Sequence, residues 1–120
     1  VVALTDSPAL LLAWGNDTSF ENVFAGQART WVRKNDVLIA ISGSGNSKNV
    51  LEAVKVANDV GAITIGFCGY DGGKLAEMVT IPIVAERRNM QQVEDVHMIL
   101  GHILFSALRD KITGYLPSAS

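Results

Sequence analysis

The sequence predicts an α/β fold: a mostly parallel sheet flanked by helices, three layers deep and doubly wound. Three observations carry this. Short apolar runs of strand length recur at Val37–Ile41, Ala62–Cys68 and Val79–Val84. Stretches of helical periodicity separate and follow them, with Val50, Leu51, Val54 and Ala57 on one face and a long apolar pattern after Met90. A hydroxyl- and glycine-rich loop, Ser42-Gly43-Ser44-Gly45-Asn46-Ser47, joins the first of these strands to the helix after it. Strands alternating with helices at this spacing argue for right-handed βαβ crossovers and a parallel sheet covered on both faces.

Taken in order, Val1-Val2-Ala3-Leu4-Thr5 reads as a buried strand. A chain opening on such a strand predicts that more sequence precedes it. Pro8 at an early helical position, capped by Asp6 or Ser7, starts a short helix to Trp14, and Gly15-Asn16-Asp17 breaks it. Thr18 and Glu21 have the spacing of a capping box. The helix they open would place Phe20, Phe24, Ala28 and Trp31 near one face, and Arg33-Lys34-Asn35-Asp36 is its polar exit. Gly61 stops the helix after the serine loop. Gly69-Tyr70-Asp71-Gly72-Gly73 is a loop, and Lys74–Met78 a short helix. Pro82 has no N–H to give a sheet, so its strand belongs at an edge. The last helix runs from Met90 to Lys111, and the stretch from Thr113 to Ser120 reads as a frayed tail.

Composition narrows the function. The chain has 120 residues, 48% of them apolar and 18% charged, with a formal net charge of −2. That is one globular domain over residues 1–120, and without a basic stripe nucleic acid is a poor partner. No apolar run approaches the roughly 20 residues of a membrane span, and no signal peptide pattern is present. The single Cys68 has no internal disulfide partner, which suits a cytoplasmic protein, and it reads as a small buried residue.

The serine loop is where chemistry enters. The first turn of a helix carries unpaired N–H groups and partial positive charge, and glycines let the backbone approach an anion closely. The hydroxyls of Ser42, Ser44 and Ser47 add donors, so the stretch reads as a phosphate cradle; a plain structural turn is the ordinary alternative. Neither G-x-x-x-x-G-K-[ST] nor G-x-G-x-x-G is present, which argues against a nucleotide cofactor.

The full spelling from Asp36 to Ser47, followed by Asn49-Val50 and an alanine-containing helix, resembles the sugar isomerase (SIS) domain, a flavodoxin-like fold, and within it the phosphoheptose isomerase branch. Asp71-Gly72-Gly73-Lys74 resembles the same branch, as do Thr5-Asp6 and Gly15-Asn16-Asp17. The resemblance covers about residues 1 to 110. It implies that Ser42, Gly43, Ser44, Asn46 and Ser47 line the phosphate site, Gly43 standing where the branch usually has Thr. It also implies an N-terminal helical segment, a first strand and a Gly-Asn-Gly-Gly-Ser loop that this sequence lacks. Asp6, at the end of the first predicted strand, becomes a candidate for sugar hydroxyls, with helix capping as its ordinary alternative.

On the last helix, Gln91, Asp95, Met98 and His102 fall near one stripe, with Glu94 beside it, His97 three residues after Glu94 and Gly101 thinning the helix. A histidine on an apolar helix is ordinarily hydrogen-bonded in the core or at a subunit contact. The resemblance gives His102 the acid/base role instead. It makes Glu94, usually Gln in the branch, its partner in a zinc site. Aldose–ketose isomerisation through an enediol needs a base near neutrality, a hold on the phosphate and a group that polarises the carbonyl. The expected activity is therefore isomerisation of a sugar phosphate such as sedoheptulose 7-phosphate, by a homo-oligomer (dimer or tetramer). The alternative is a non-catalytic module binding a phosphosugar or a protein, as in a relative of the branch that binds the replication initiator DnaA.

Overall fold

A computed structural model describes residues 1–114. The elements in order are α1 (Pro8–Asp17), a 3-10 turn (Phe20–Asn22), α2 (Ala25–Trp31), β1 (Val37–Ser42), α3 (Lys48–Asp59), β2 (Ile63–Gly69), α4 (Gly73–Met78), β3 (Ile81–Ala85) and α5 (Met90–Thr113). The sheet is parallel throughout, in the order β1-β2-β3. Pro82 thus lies on an edge strand, as its missing N–H requires. Ile41 pairs with Phe67 and Phe67 with Ile83, so all three strands end together beside the serine loop.

The core lies between one face of the sheet and α3 and α4. Ala40, Val54, Cys68, Leu75 and Val79 form it, with Leu38, Val50 and Leu51 at its margin. The helical stripe read from Val50, Val54 and Ala57 is the face α3 buries. Thr64 is buried beneath α3; its hydroxyl donates to Asn58 Oδ1 (2.9 Å) and accepts from the Thr80 N–H (2.9 Å). That polar pair ties the start of β2 to the end of α4 without leaving an orphaned group. Cys68 is fully buried, and burial pushes its thiol pKa above the ordinary 9.0.

The structure departs from the sequence-based expectations in four places. Val1–Thr5 forms no strand: Val1 and Val2 are exposed, and the Leu4 carbonyl accepts from the Gln27 side chain at 2.9 Å. Gly15-Asn16-Asp17 is the last turn of α1 rather than a break. Thr18 ends that helix, since both its N–H and its hydroxyl donate to the Trp14 carbonyl (3.1 and 2.6 Å). The anticipated capping box is therefore not made, and Glu21 pairs with Lys48 instead. The 3-10 turn shifts the helical phase, so Ala28 is buried while Phe20 and Trp31 are exposed.

The fourth departure is the sheet's other face. Val37, Ile39, Ile41, Ile63 and Ile81 alternate outward and are exposed, because α5 reaches this face only near Phe67 and then runs clear of it. β1 is consequently not buried on both sides. Beyond His97, α5 exposes Met98, Ile99, Ile103, Phe105 and Leu108. Thr113 closes α5 and Gly114 caps it with φ 66°; the rest of the predicted tail lies outside the described residues.

Two glycines at the strand ends set how closely α5 approaches. The Gly69 N–H donates to the Gly43 carbonyl at 2.9 Å, and the Val93 side chain sits over the pair. A Cβ on Gly69 would lie 2.5–2.7 Å from Val93 and from the Gly43 carbonyl oxygen, and the latter is backbone that cannot step aside. Gly69→Ala should cost about 3 kcal/mol by overpacking, measured by urea denaturation. For Cys68 the sign is set by its raised pKa. Above pH 9 the unfolded thiol ionises first, so stability should fall as pH rises through that range. Cys68→Ala should flatten that slope, measured as the unfolding midpoint against pH.

Candidate functional site

The site lies at the C-terminal ends of the strands, where open parallel sheets present loops and helix N-termini to a ligand. β1 delivers Ser42 to the edge of the core, where it is buried. Its hydroxyl lies 2.9 Å from that of Ser47 and accepts from the Ser47 N–H at 3.4 Å. The chain turns between them, with Gly45 N–H donating to the Ser42 carbonyl at 3.0 Å. Gly45 has φ 67°, and any Cβ there would collide with the Gly72 carbonyl; glycine is required on both counts.

A second loop braces the first. The Asn46 side chain spans them: its Nδ2 donates to the Ser44 carbonyl (2.9 Å) and its Oδ1 accepts from the Lys74 N–H (3.1 Å). Leu75 N–H donates to the Gly45 carbonyl at 2.9 Å. Gly72 and Gly73 both have positive φ, which lets the second loop lie flat against the first. Through these two bonds Asn46 holds the loop's shape. Ser44 is exposed, and its hydroxyl accepts from the Asn46 N–H at 3.2 Å.

Helix starts supply the electrostatics. α3 begins at Lys48, immediately after the loop, and its Ser47 side chain makes no cap. Val50 and Leu51 are the first amides to find an acceptor at Ser47 O, so those of Lys48 and Asn49 precede the intrahelical ladder. α5 begins at Met90, whose thioether occupies the space a Cβ on Gly43 would take. Two helix N-termini therefore flank one loop and favour an anion there. The Lys48 ammonium is engaged by Glu21 at 2.9 Å, which raises its pKa.

The remaining candidates lie on other elements. Asp6 is exposed in the turn before α1, with no strand end to place it; Ser7 is the residue that caps α1, accepting from the Leu10 N–H. Glu94 and His102 are both exposed on α5. His102 lies twelve residues beyond Met90, about 18 Å further along the helix axis. Glu94 and His102 stand about 12 Å apart along the same helix. Zinc takes four ligands, and no cluster of three His, Cys, Asp or Glu side chains occurs among the described residues.

The histidine that does make contacts is His97. It is buried, its Nε2 bonds the Cys68 carbonyl at 3.0 Å, and its ring lies tilted against Phe67 at 6.0 Å. A carbonyl can only accept, so Nε2 carries the proton. This is the core-histidine role, filled by His97 rather than His102. With Met90 and Val93 it forms the stripe that seats α5 on the strand ends. Sequence reasoning overlooked Met90, and the signal of its close approach is Gly43, the glycine that faces it.

The chain is thus an α/β domain whose serine-rich loop leads from a parallel sheet into a helix N-terminus, an arrangement that suits an anion. Residues 2–69 match the SIS domain, and the chain belongs to that family. It is similar to phosphoheptose isomerases: it is 42% identical to that of Geotalea daltonii over 94% of this chain and 59% of the relative. To that of Aquifex aeolicus it is 37% identical over 92% and 58%. The solved phosphoheptose isomerase GmhA of Neisseria gonorrhoeae superposes with a TM-score of 0.88 at 38% identity, covering 91% of this chain and 61% of that one. The chain thus spans about three fifths of the length of these relatives. No helix among the described residues is long and apolar enough to cross a membrane.

His97→Phe keeps the ring but removes the bond to the Cys68 carbonyl. It should cost about 1 kcal/mol in denaturant unfolding, and His97→Ala clearly more. A variant as stable as the parent would show that this bond does not hold α5.

Proposed function

We propose that the chain is the phosphate-holding part of an aldose–ketose isomerase acting on a sugar phosphate such as sedoheptulose 7-phosphate. The observation that carries this is the Ser42–Ser47 loop between two helix N-termini, its hydroxyls already converging. Support also comes from relatives named phosphoheptose isomerase over nearly the whole chain. In this reading Ser42, Ser44 and Ser47 and the first amides of α3 hold the phosphate. Their contacts use binding energy remote from the reacting carbons to position the sugar. Gly43 offers a backbone N–H and no hydroxyl. Asp6 is the candidate for a sugar hydroxyl.

His102 is the proposed acid/base, transferring a proton between C1 and C2 through an enediol. α5 carries it away from its own chain's loop, so the reading places it in a site shared with another copy, in a homodimer or tetramer. The apolar outer side of α5, with Ile99, Ile103 and Phe105, supports such an assembly. Zinc enters the reading only with ligands supplied beyond Glu94 and His102. The cytoplasm is the proposed location, in keeping with a lone, buried, free Cys68. A second reading, a phosphosugar- or protein-binding module without catalysis, is favoured by one observation: His102 and the loop lie apart within one chain.

Ser44→Ala with Ser47→Ala should weaken binding of sedoheptulose 7-phosphate at least about tenfold in calorimetry, with the unphosphorylated sugar as control. Unchanged affinity would remove the cradle. His102→Ala should lower isomerase turnover about a hundredfold or more in the assembled protein while phosphosugar affinity holds. Phosphosugar binding without proton exchange at C1 or C2 in the parent protein would select the second reading.

A further inference from the structure

We propose that Met90 is a positioning residue of the serine loop, a wedge whose thioether supports the loop backbone where Gly43 has no side chain. The inference rests on the phosphate-cradle reading for its consequence, though not for its geometry. Gly43 begins the loop's departure from β1, and a Cβ there would overlap the Met90 sulfur. The loop's other flank is braced from α4, whose Lys74 and Leu75 N–H groups donate to Asn46 Oδ1 and the Gly45 carbonyl, while Asn46 Nδ2 ties back to the Ser44 carbonyl. On the Gly43 side the backbone bond from Gly69 is supplemented by packing, which Met90 and Val93 provide. An unbranched thioether suits the task, because it fills an irregular gap against bare backbone without demanding a partner.

Met90 is also the first residue of α5, held there by the Asn89 side chain accepting from the Gln92 N–H at 3.0 Å. The wedge therefore couples two things: the set of the loop and the placement of the α5 N-terminus beside it. Shortening Met90 would let the Gly43–Ser44 backbone relax toward the vacated space and would loosen the first turn of α5 together with it. The rest of the molecule would feel little, since α3, α4 and the core between them touch the sheet's other face.

The test is amide hydrogen exchange on the parent, Met90→Ala and Met90→Leu, paired with calorimetry using sedoheptulose 7-phosphate. Met90→Ala should speed exchange at Gly43–Ser47 about tenfold relative to the core amides of β2. Met90→Leu, similar in volume, should restore slow exchange. Loop exchange in Met90→Ala equal to the parent, or accelerated uniformly across the molecule, would overturn the proposal. Where the parent binds the phosphosugar, Met90→Ala should weaken it about fivefold or more and Met90→Leu should recover it. A parent that binds no phosphosugar would defeat the cradle reading, and the exchange pattern would still decide the role of Met90.

Discussion

The close approach of two backbone segments at the strand ends governs this structure. Gly43 and Gly69 leave β1 and β2 side by side, joined by one hydrogen bond, with no side chain between them and α5. That bare patch lets Met90 and Val93 descend onto the sheet and lets His97 reach the Cys68 carbonyl. It also fixes where the serine loop leaves β1. The serine loop and the seat of the last helix are thus two sides of one backbone contact.

The sequence was legible where one physical demand acts alone. β1, β2 and β3 appear where apolar runs meet turn residues, and α3 and α5 fall close to the predicted limits, because each buries or caps itself in a way its own residues announce. Thr18 shows where legibility ends. Its hydroxyl could cap the helix after it or close the one before it, and the Trp14 carbonyl won. With Trp14 packed over Gly26, α1 keeps its last turn through Gly15, a residue that reads as a breaker in isolation.

The candidate site divides in the same way. The serine loop is local in sequence, so the place of Ser42, Ser44 and Ser47 between β1 and α3 was readable. Asn46 was readable as a loop residue but not as a brace to Lys74, a contact across 28 positions. The two histidines of α5 look alike in sequence. Only the fold separates them, giving His97 a carbonyl and an aromatic ring and leaving His102 in solvent.

β1 occupies the border of the sheet, and its sequence Val-Leu-Ile-Ala-Ile-Ser has no charge, no proline and no bulge to blunt it. Natural edge strands usually carry such guards, because an open row of N–H and C=O groups invites any passing strand to add on. Here that border adjoins an outward face bearing Val37, Ile39 and Ile41. The same six residues that deliver Ser42 to its loop are thus a template on which a further strand can pair. Among the described residues, β1 therefore offers a whole strand edge, with an apolar face beside it, to whatever strand is set against it.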